Sequence, residues 1–254
     1  MAVGLALVLS ACGPATLPPG DTIADLDEAQ NREVHDFNVA VDRAILRPTA
    51  EAYGTVVPRP VRQGVSNFSS NLSQPGYVIN DLLQLQLDDA VVNTFRFAIN
   101  STVGLGGLFD PASALGLAAR ETGFSETLHV YGVPEGDYME LPVFGPSTTR
   151  DTLGSMVDFA ANPVRVFVDS PQIDYVRGAN AADVLNSRHE LGDSIDSLLD
   201  DSADSYAALR SIYLQNRRFE LRGTDFSAEA PLGDPTLDPY FDPYNDPYFD
   251  PYAE

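Results

Sequence analysis

The stretch from Ile99 to Ala114 reads INSTVGLGGLFDPASA, and the fold turns on how it is read. Gly104, Gly106 and Gly107 fall within four positions, which opens backbone conformations closed to other residues. Asp110-Pro111 then has the form of an N-cap and first turn of a short helix, reaching Leu117. Just upstream, Val91, Val92, Phe95, Ile99 and Thr102 recur at helical spacing behind a cap at Asp88 or Asp89. No Gly-Lys-Ser/Thr follows the glycines, so a phosphate-binding loop is excluded. The spacing Gly-x-Gly-Gly after a helical pattern, where a strand is required, excludes the dinucleotide fingerprint. Gly104, Gly106, Gly107, Asp110 and Pro111 are therefore read as a hinge or a close-packing point between helices.

Outward from this stretch the pattern stays helical. From Asp27 to Leu46, Val34, Phe37, Val41, Ala44 and Ile45 share a face. Pro48 ends that helix and sits in the first turn of the next, which runs to Val56 before Pro58 and Pro60 break it. Val61, Val65, Phe68 and Leu72 form one narrow stripe; Pro75-Gly76 predicts a turn, and Tyr77 to Gln86 is helical again. Downstream, Phe124 to Tyr131 is a short helical piece. Leu141 to Pro146 is apolar and cannot be regular helix, and Ser147 or Thr148 caps a helix that Asn162-Pro163 stops. Val184, Leu191, Ile195 and Leu198 form a later stripe, with Asp193, Asp196 and Asp200 on another face. That face is read as solvated, with docking of a carrier as the alternative. Tyr206, Leu209 and Tyr213 lead to Arg217 and Arg218, which with Arg222 would favour the dipole of a helix end, with binding of anionic headgroups as the weaker alternative. The predicted class is all-α.

Charge separates this chain from an ordinary helical protein. The 254 residues carry a formal charge of −22, which disfavours nucleic acid as a partner. All fifteen basic residues are Arg, so Schiff-base lysine chemistry is excluded. Between Gln63 and Ala119 only Asp81, Asp88, Asp89, Arg96 and Asp110 are charged. A soluble surface normally carries more. Yet no stretch after Cys12 reaches the roughly 18 consecutive apolar residues of a spanning helix, and Val61 to Leu72 would be only about 18 Å long. Such helices can lie in the interface or dip into one leaflet as hairpins; an ordinary helical core is the competing reading.

The lone Cys supplies the anchor. Residues 1–11, MAVGLALVLSA, are apolar and end in small residues, and Leu9-Ser10-Ala11-Cys12 fits a bacterial lipobox. Cleavage before Cys12 would leave a lipidated N-terminus, and two or more acyl chains hold a protein to a bilayer at roughly 0.8 kcal/mol per buried methylene. Gly13 rather than Asp follows the Cys, which by the usual sorting rule permits export to the outer membrane. Residues 12–24 then form a Pro-rich tether, 25–223 the helical domain, and 224–254 an acidic tail that repeats Asp-Pro-Tyr and is expected to be disordered.

No catalytic residue is assigned. His35, His129 and His189 stand in no metal-binding spacing, and one Cys makes no metal site. Gly64-Val65-Ser66-Asn67-Phe68 lacks the closing Gly of a nucleophile elbow and lies in a helical pattern. No metal and no cofactor are expected.

Four segments, in order, resemble the MlaA/VacJ family: NREVHDFN from Asn31, VVPRPVRQGVSNFSSNLSQP from Val56, INSTVGLGGLFDPASALGL from Ile99, and LPVFGPSTTRD from Leu141. The likeness covers about Asp25 to Leu221. The chain departs from the family at Asp25 to Arg32, which lacks the usual Pro and aromatic, and at His129, where a small residue is usual. The resemblance implies an all-helical, ring-like protein sunk in the inner leaflet of the outer membrane. It would pass mislocalised phospholipids through an amphipathic channel to a periplasmic lipid-carrier protein, beside a trimeric porin, and so maintain lipid asymmetry. Asn93, Asn100, Ser101 and Thr102 are candidate polar pore-lining residues. The alternative is a structural lipoprotein that only scaffolds envelope proteins.

Overall fold

The computed structural model describes residues 25–164 and 172–225. The expected signal peptide at 1–11, Cys12, the expected tether and the Asp-Pro-Tyr repeats lie outside the described residues.

Helix α1 (Glu28–Val41) passes through a π-helical turn at Asp42–Leu46 into α2 (Arg47–Val56). Pro48 sits in the first turn of α2, where its missing N–H costs nothing. Helix α3 spans Arg59–Leu83 and α4 spans Leu87–Thr102; α5 (Pro111–Ala114) and α6 (Phe124–Val130) are short. Strands β1 (Tyr138–Leu141) and β2 (Gly145–Thr148) form an antiparallel hairpin with Tyr138 opposite Thr148 and Leu141 opposite Gly145. The chain closes with α7 (Thr149–Ala161), α8 (Gln172–Glu190), α9 (Gly192–Asp196), a second π-helical turn at Ser197–Asp201, and α10 (Ser205–Asp225). Apart from the one hairpin, the described fold is helical, as expected.

Several local expectations are corrected. Pro75-Gly76 makes no turn: α3 runs straight through it, and the break comes at Gln84, next to Leu85 with its left-handed φ of 61°. The carbonyl that Pro75 leaves without its helical partner is that of Asn71, four residues earlier. The helix is held through the Pro by its packing on α4 and α8. Asp88 and Asp89 do not cap α4; they lie inside its first turn, where their charges face the helix dipole. Helix α5 ends at Ala114 rather than Leu117. The Asp face is not simply solvated, because Asp196 pairs with Arg47 and Arg188 while Asp200 pairs with Arg43 and Arg47. Nor do Arg217 and Arg218 close a helix: α10 continues to Asp225, past the expected domain boundary, Arg218 pairs with Glu135 at 2.9 Å, and Arg217 is drawn into ion pairs described below.

Neighbour relations close into a ring. Helix α1 packs on β1; β2 packs on α7 and α10; α7 packs on α6, α6 on α3, α3 on α4 and α8, and α8 on α2, which returns to α1. The hairpin is held by two asparagines one heptad apart on α1. Asn31 accepts from the Glu140 N–H and donates to the Tyr138 carbonyl; Asn38 accepts from the Val143 N–H and donates to the Leu141 carbonyl. Each amide thus completes an edge of β1 as another strand would.

The interior is inverted relative to a soluble protein. Among the described residues twenty-one buried side chains are polar or charged and only eight are apolar, four of those being Ala in helices α2, α4, α5 and α8. The one apolar cluster joins Tyr138, Tyr206 and Leu214. Thirty-one large apolar residues are exposed, among them Ile79, Leu82, Val91, Phe95, Val103, Leu105 and Phe109 from the charge-poor region. Burial of polar groups inside and apolar groups outside is unfavourable in water and favourable where hydrocarbon surrounds the protein. No described helix is long and apolar enough to cross a membrane.

Candidate functional site

Two polar constructions stand out. The first is the glycine turn that opened the sequence reading. After α4 the chain reverses with Leu105, Gly106 and Gly107 all at positive φ, 53°, 76° and 96°. A Cβ at Gly104 would lie 2.4 Å from the carbonyl oxygens of Asn100 and Phe109, and one at Gly107 would lie 2.6 Å from Asn71 Cβ on α3. The turn is therefore seated against α3 with no room for side chains at those two positions.

Asp110 caps α5 by accepting from the Ser113 N–H at 3.1 Å. It also takes Asn100 Nδ2 at 2.8 Å and Arg96 Nη2 at 3.1 Å, while Asn100 Oδ1 accepts from the Ala112 N–H. Burial works to raise the Asp110 pKa, but the hydrogen bonds from Ser113, Asn100 and Arg96 outweigh it and hold the carboxylate below its ordinary value. Pro111 starts the helix, its missing N–H costing nothing there.

The four candidate pore-lining residues occupy this packing. Asn93 is fully buried, donating to Asp81 Oδ2 and the Arg120 carbonyl, both at 2.8 Å. Asn100 is buried on Asp110, Ser101 Oγ accepts from Asn71 Nδ2 at 3.0 Å, and Thr102 is exposed and turned back on the Ala98 carbonyl.

The second construction is a cavity of about 1200 Å³, and none of those four residues lines it. Its volume exceeds the ~300–1,000 Å³ of ordinary small-molecule sites. Part of the lining is apolar: Leu141, Pro142, Phe144 and Pro146 of the hairpin, Met156 and Phe159 of α7. The rest is largely polar: Glu121, Thr122, Ser125 and Glu126 around α6, Asp151, Ser155 and Asp158 of α7, and Asn216, Arg217 and Glu220 of α10. Tyr77 of α3 and Tyr213 of α10 complete the lining. Helix α7 supplies both chemistries because Asp151, Ser155 and Asp158 follow one another at helical spacing beside Met156 and Phe159. Its start is fixed by the Thr148 hydroxyl, which accepts from the Asp151 N–H.

Charges in the cavity are organised by Asp151. One oxygen accepts from Arg217 Nε and Nη2 at 3.1 and 3.0 Å and from the Ser125 hydroxyl; the other accepts from the Tyr213 hydroxyl. Burial alone would raise its pKa, yet Arg217, Ser125 and Tyr213 bring it down to about 2. Arg217 also pairs with Glu126 and Glu220. Asp158 accepts from Asn80 Nδ2 at 3.0 Å and the Phe124 N–H at 2.8 Å. Tyr77 is pushed up to about 12, chiefly by burial and then by Glu121.

Sequence reading singled out LPVFGPSTTRD but assigned no role to Asp151, Asp158 or Phe159, and placed Arg217 at a helix end. The available signal was the alternation of carboxylates and apolar residues on α7; what it lacked was the distant partner, since Arg217 stands 66 residues away. His35 is likewise brought to distant groups, Ser205 Oγ at 2.9 Å from Nε2 and Glu140 at 3.6 Å from Nδ1. Its ring is buried edge-on against Tyr206, so this Ser-His-Glu grouping is a packing contact closed to substrate. Among the described residues no group of His, Cys, Asp or Glu is arranged to hold a metal.

Comparison with known proteins gives concordant results. The model of the MlaA lipoprotein family matches residues 23–220. The intermembrane phospholipid transport system lipoproteins MlaA of Shigella flexneri and Escherichia coli are each 34% identical over 233 residues, 90% of either chain. An uncharacterised protein of Rickettsia felis is 36% identical over 190 residues, 74% of either chain. A solved structure, described as giving the structural basis for maintenance of bacterial outer membrane lipid asymmetry, superposes with a TM-score of 0.68 at 34% identity. It covers 78% of this chain and 99% of its own.

Proposed function

The chain belongs to the MlaA lipoprotein family, and from that membership we propose that it takes up phospholipids that have strayed into the outer leaflet of the outer membrane and passes them through the described cavity. The lipid leaves to a periplasmic carrier protein, which restores lipid asymmetry. No bond is broken. The protein is held at the periplasmic side of the outer membrane by lipidated Cys12 and by its helices, next to a trimeric porin that offers a rigid partner in the bilayer.

One observation carries this reading: the interior is polar while the outer face is apolar, and the fold holds a cavity lined by side chains of both kinds. A phospholipid leaving a bilayer must keep its headgroup in polar surroundings and its acyl chains in apolar ones. The hairpin and α7 present Phe144, Met156 and Phe159 to the chains, and α7 and α10 present Asp151, Asp158 and Arg217 to the headgroup. Gly104, Gly107 and the Asp110 cap seat the turn after α4 against α3, and so serve as a helix-packing point.

Outer-leaflet phospholipid in cells lacking the protein, complemented with wild type or Cys12→Ala, tests the function. The expected result is accumulation on deletion, cleared by wild type and not by the unlipidated variant. An unchanged outer leaflet on deletion, in a strain with no second copy, rejects it.

A further inference from the structure

The cavity is one-sided in charge. Glu121, Glu126, Asp151, Asp158 and Glu220 line it, and among the described lining residues Arg217 alone carries a positive charge. That guanidinium is already committed. Its Nε and Nη2 donate to Asp151 at 3.1 and 3.0 Å, and its Nη1 donates to Glu126 and to Glu220, the latter at 3.3 Å. A lipid phosphate entering here meets no free guanidinium fork, the usual recognition element for such a group.

The carboxylates, by contrast, are not all cancelled. Asp158 accepts only from neutral donors, the Asn80 amide and the Phe124 N–H, which fix its position and leave its charge intact. Glu121 stands exposed at the rim. Apolar side chains share the lining, so the negative field is screened less than at an open surface.

Such a field favours a headgroup that carries its own cation. We propose that the cavity selects phospholipids with an amine-bearing headgroup, such as ethanolamine, over anionic ones such as those with a glycerol headgroup. The selection rests on the cavity being the lipid path argued above. The ammonium is placed against Asp158 and Glu121 while the acyl chains lie along Phe144, Met156 and Phe159. An anionic lipid brings only negative charge into the same space. One ammonium–carboxylate pair near 4 Å gives a preference of about fivefold even at the dielectric of bulk water.

The test places a photo-cross-linking residue at Ser155, in the cavity lining, and separately at Val91, on the exposed apolar face of α4. The full-length lipoprotein is reconstituted in vesicles of equal phosphatidylethanolamine and phosphatidylglycerol, and the headgroups of the adducts are read by mass spectrometry. About fivefold more ethanolamine than glycerol is expected at Ser155, and near parity at Val91. Glu121→Lys, a change at an exposed position, is expected to lower the ratio at Ser155 at least twofold. Parity at Ser155, or a ratio that Glu121→Lys leaves unmoved, overturns the selection while the lipid path stands. Adducts at Val91 with none at Ser155 overturn the lipid path and the selection together.

Discussion

Arg217 Nη2 donates to Asp151 Oδ1 at 3.0 Å, joining α10 to the start of α7 across 66 residues, with both side chains about nine-tenths buried. The pair fixes polar lining of the cavity. Breaking a buried pair by removing one charge leaves the other uncompensated. Asp151→Asn is expected to lower stability by about 3 kcal/mol, read as a fall in the midpoint of thermal unfolding in detergent. A variant as stable as wild type would show that Glu126 and Glu220 alone suffice to hold Arg217.

The same carboxylate sets a pH dependence. Its folded pKa of about 2 lies below the ordinary value of an Asp, so its contribution is complete at pH values above the ordinary one and is lost as pH falls toward 2. Acid titration of unfolding should show wild type losing stability across that window and Asp151→Asn losing less. Parallel curves for the two proteins would place the acid-sensitive group elsewhere.

Gly107 and Gly106 separate packing from backbone conformation. Both have positive φ, but only Gly107 faces α3, with Asn71 in the space a Cβ would need; Gly106 has open space. Gly106→Ala is expected to cost about 1 kcal/mol, from conformation alone, and Gly107→Ala clearly more, because Asn71 and α3 must shift. Chemical denaturation ranks the two. Equal losses would mean that the turn does not depend on its seat against α3.

His35→Ala removes a ring packed edge-on against Tyr206 and bonded to Ser205. A loss of about 3 kcal/mol is expected from the cavity left behind, against about 1 kcal/mol for Ser205→Ala. Because the grouping is buried packing, Ser205→Ala should leave clearance of outer-leaflet phospholipid at the wild-type level. Loss of clearance with the fold intact would assign Ser205 a chemical role.

The helices were legible because their signals are local. Spacing of Val91, Phe95 and Ile99, the Asp110 cap and the Thr148 cap depend on residues within a turn or two, and charge depletion from Gln63 to Ala119 marked the region whose apolar side chains stand exposed. Pro75 misled for a related reason. A Pro breaks a helix judged alone, whereas here α3 is held by its packing on α4 and α8. The cavity was not legible, since its pairs, Asp151 with Arg217 and Asp158 with Asn80, are 66 and 78 residues apart. Polar residues of α4 read as pore lining, notably Asn93 and Asn100, sit instead inside helix packing, because in an inverted interior a polar residue on a helix face marks the core.

That inversion makes the last prediction. Phe95 is 56% exposed on α4, in a row with Val91. On a soluble domain a charge at such a position changes stability by less than about 0.5 kcal/mol. Against hydrocarbon the same charge costs about 3 kcal/mol. Phe95→Asp, made in a Cys12→Ala background so that acyl chains do not mask the effect, is therefore expected to reduce co-flotation with vesicles at least tenfold. Its circular dichroism should be unchanged, since Phe95 contributes little to packing. Flotation equal to that of Cys12→Ala alone would mean that the apolar face of α4 does not enter the leaflet. The exposed residues Val103, Leu105 and Phe109, which continue from α4 through the turn, would then need a protein surface to cover them.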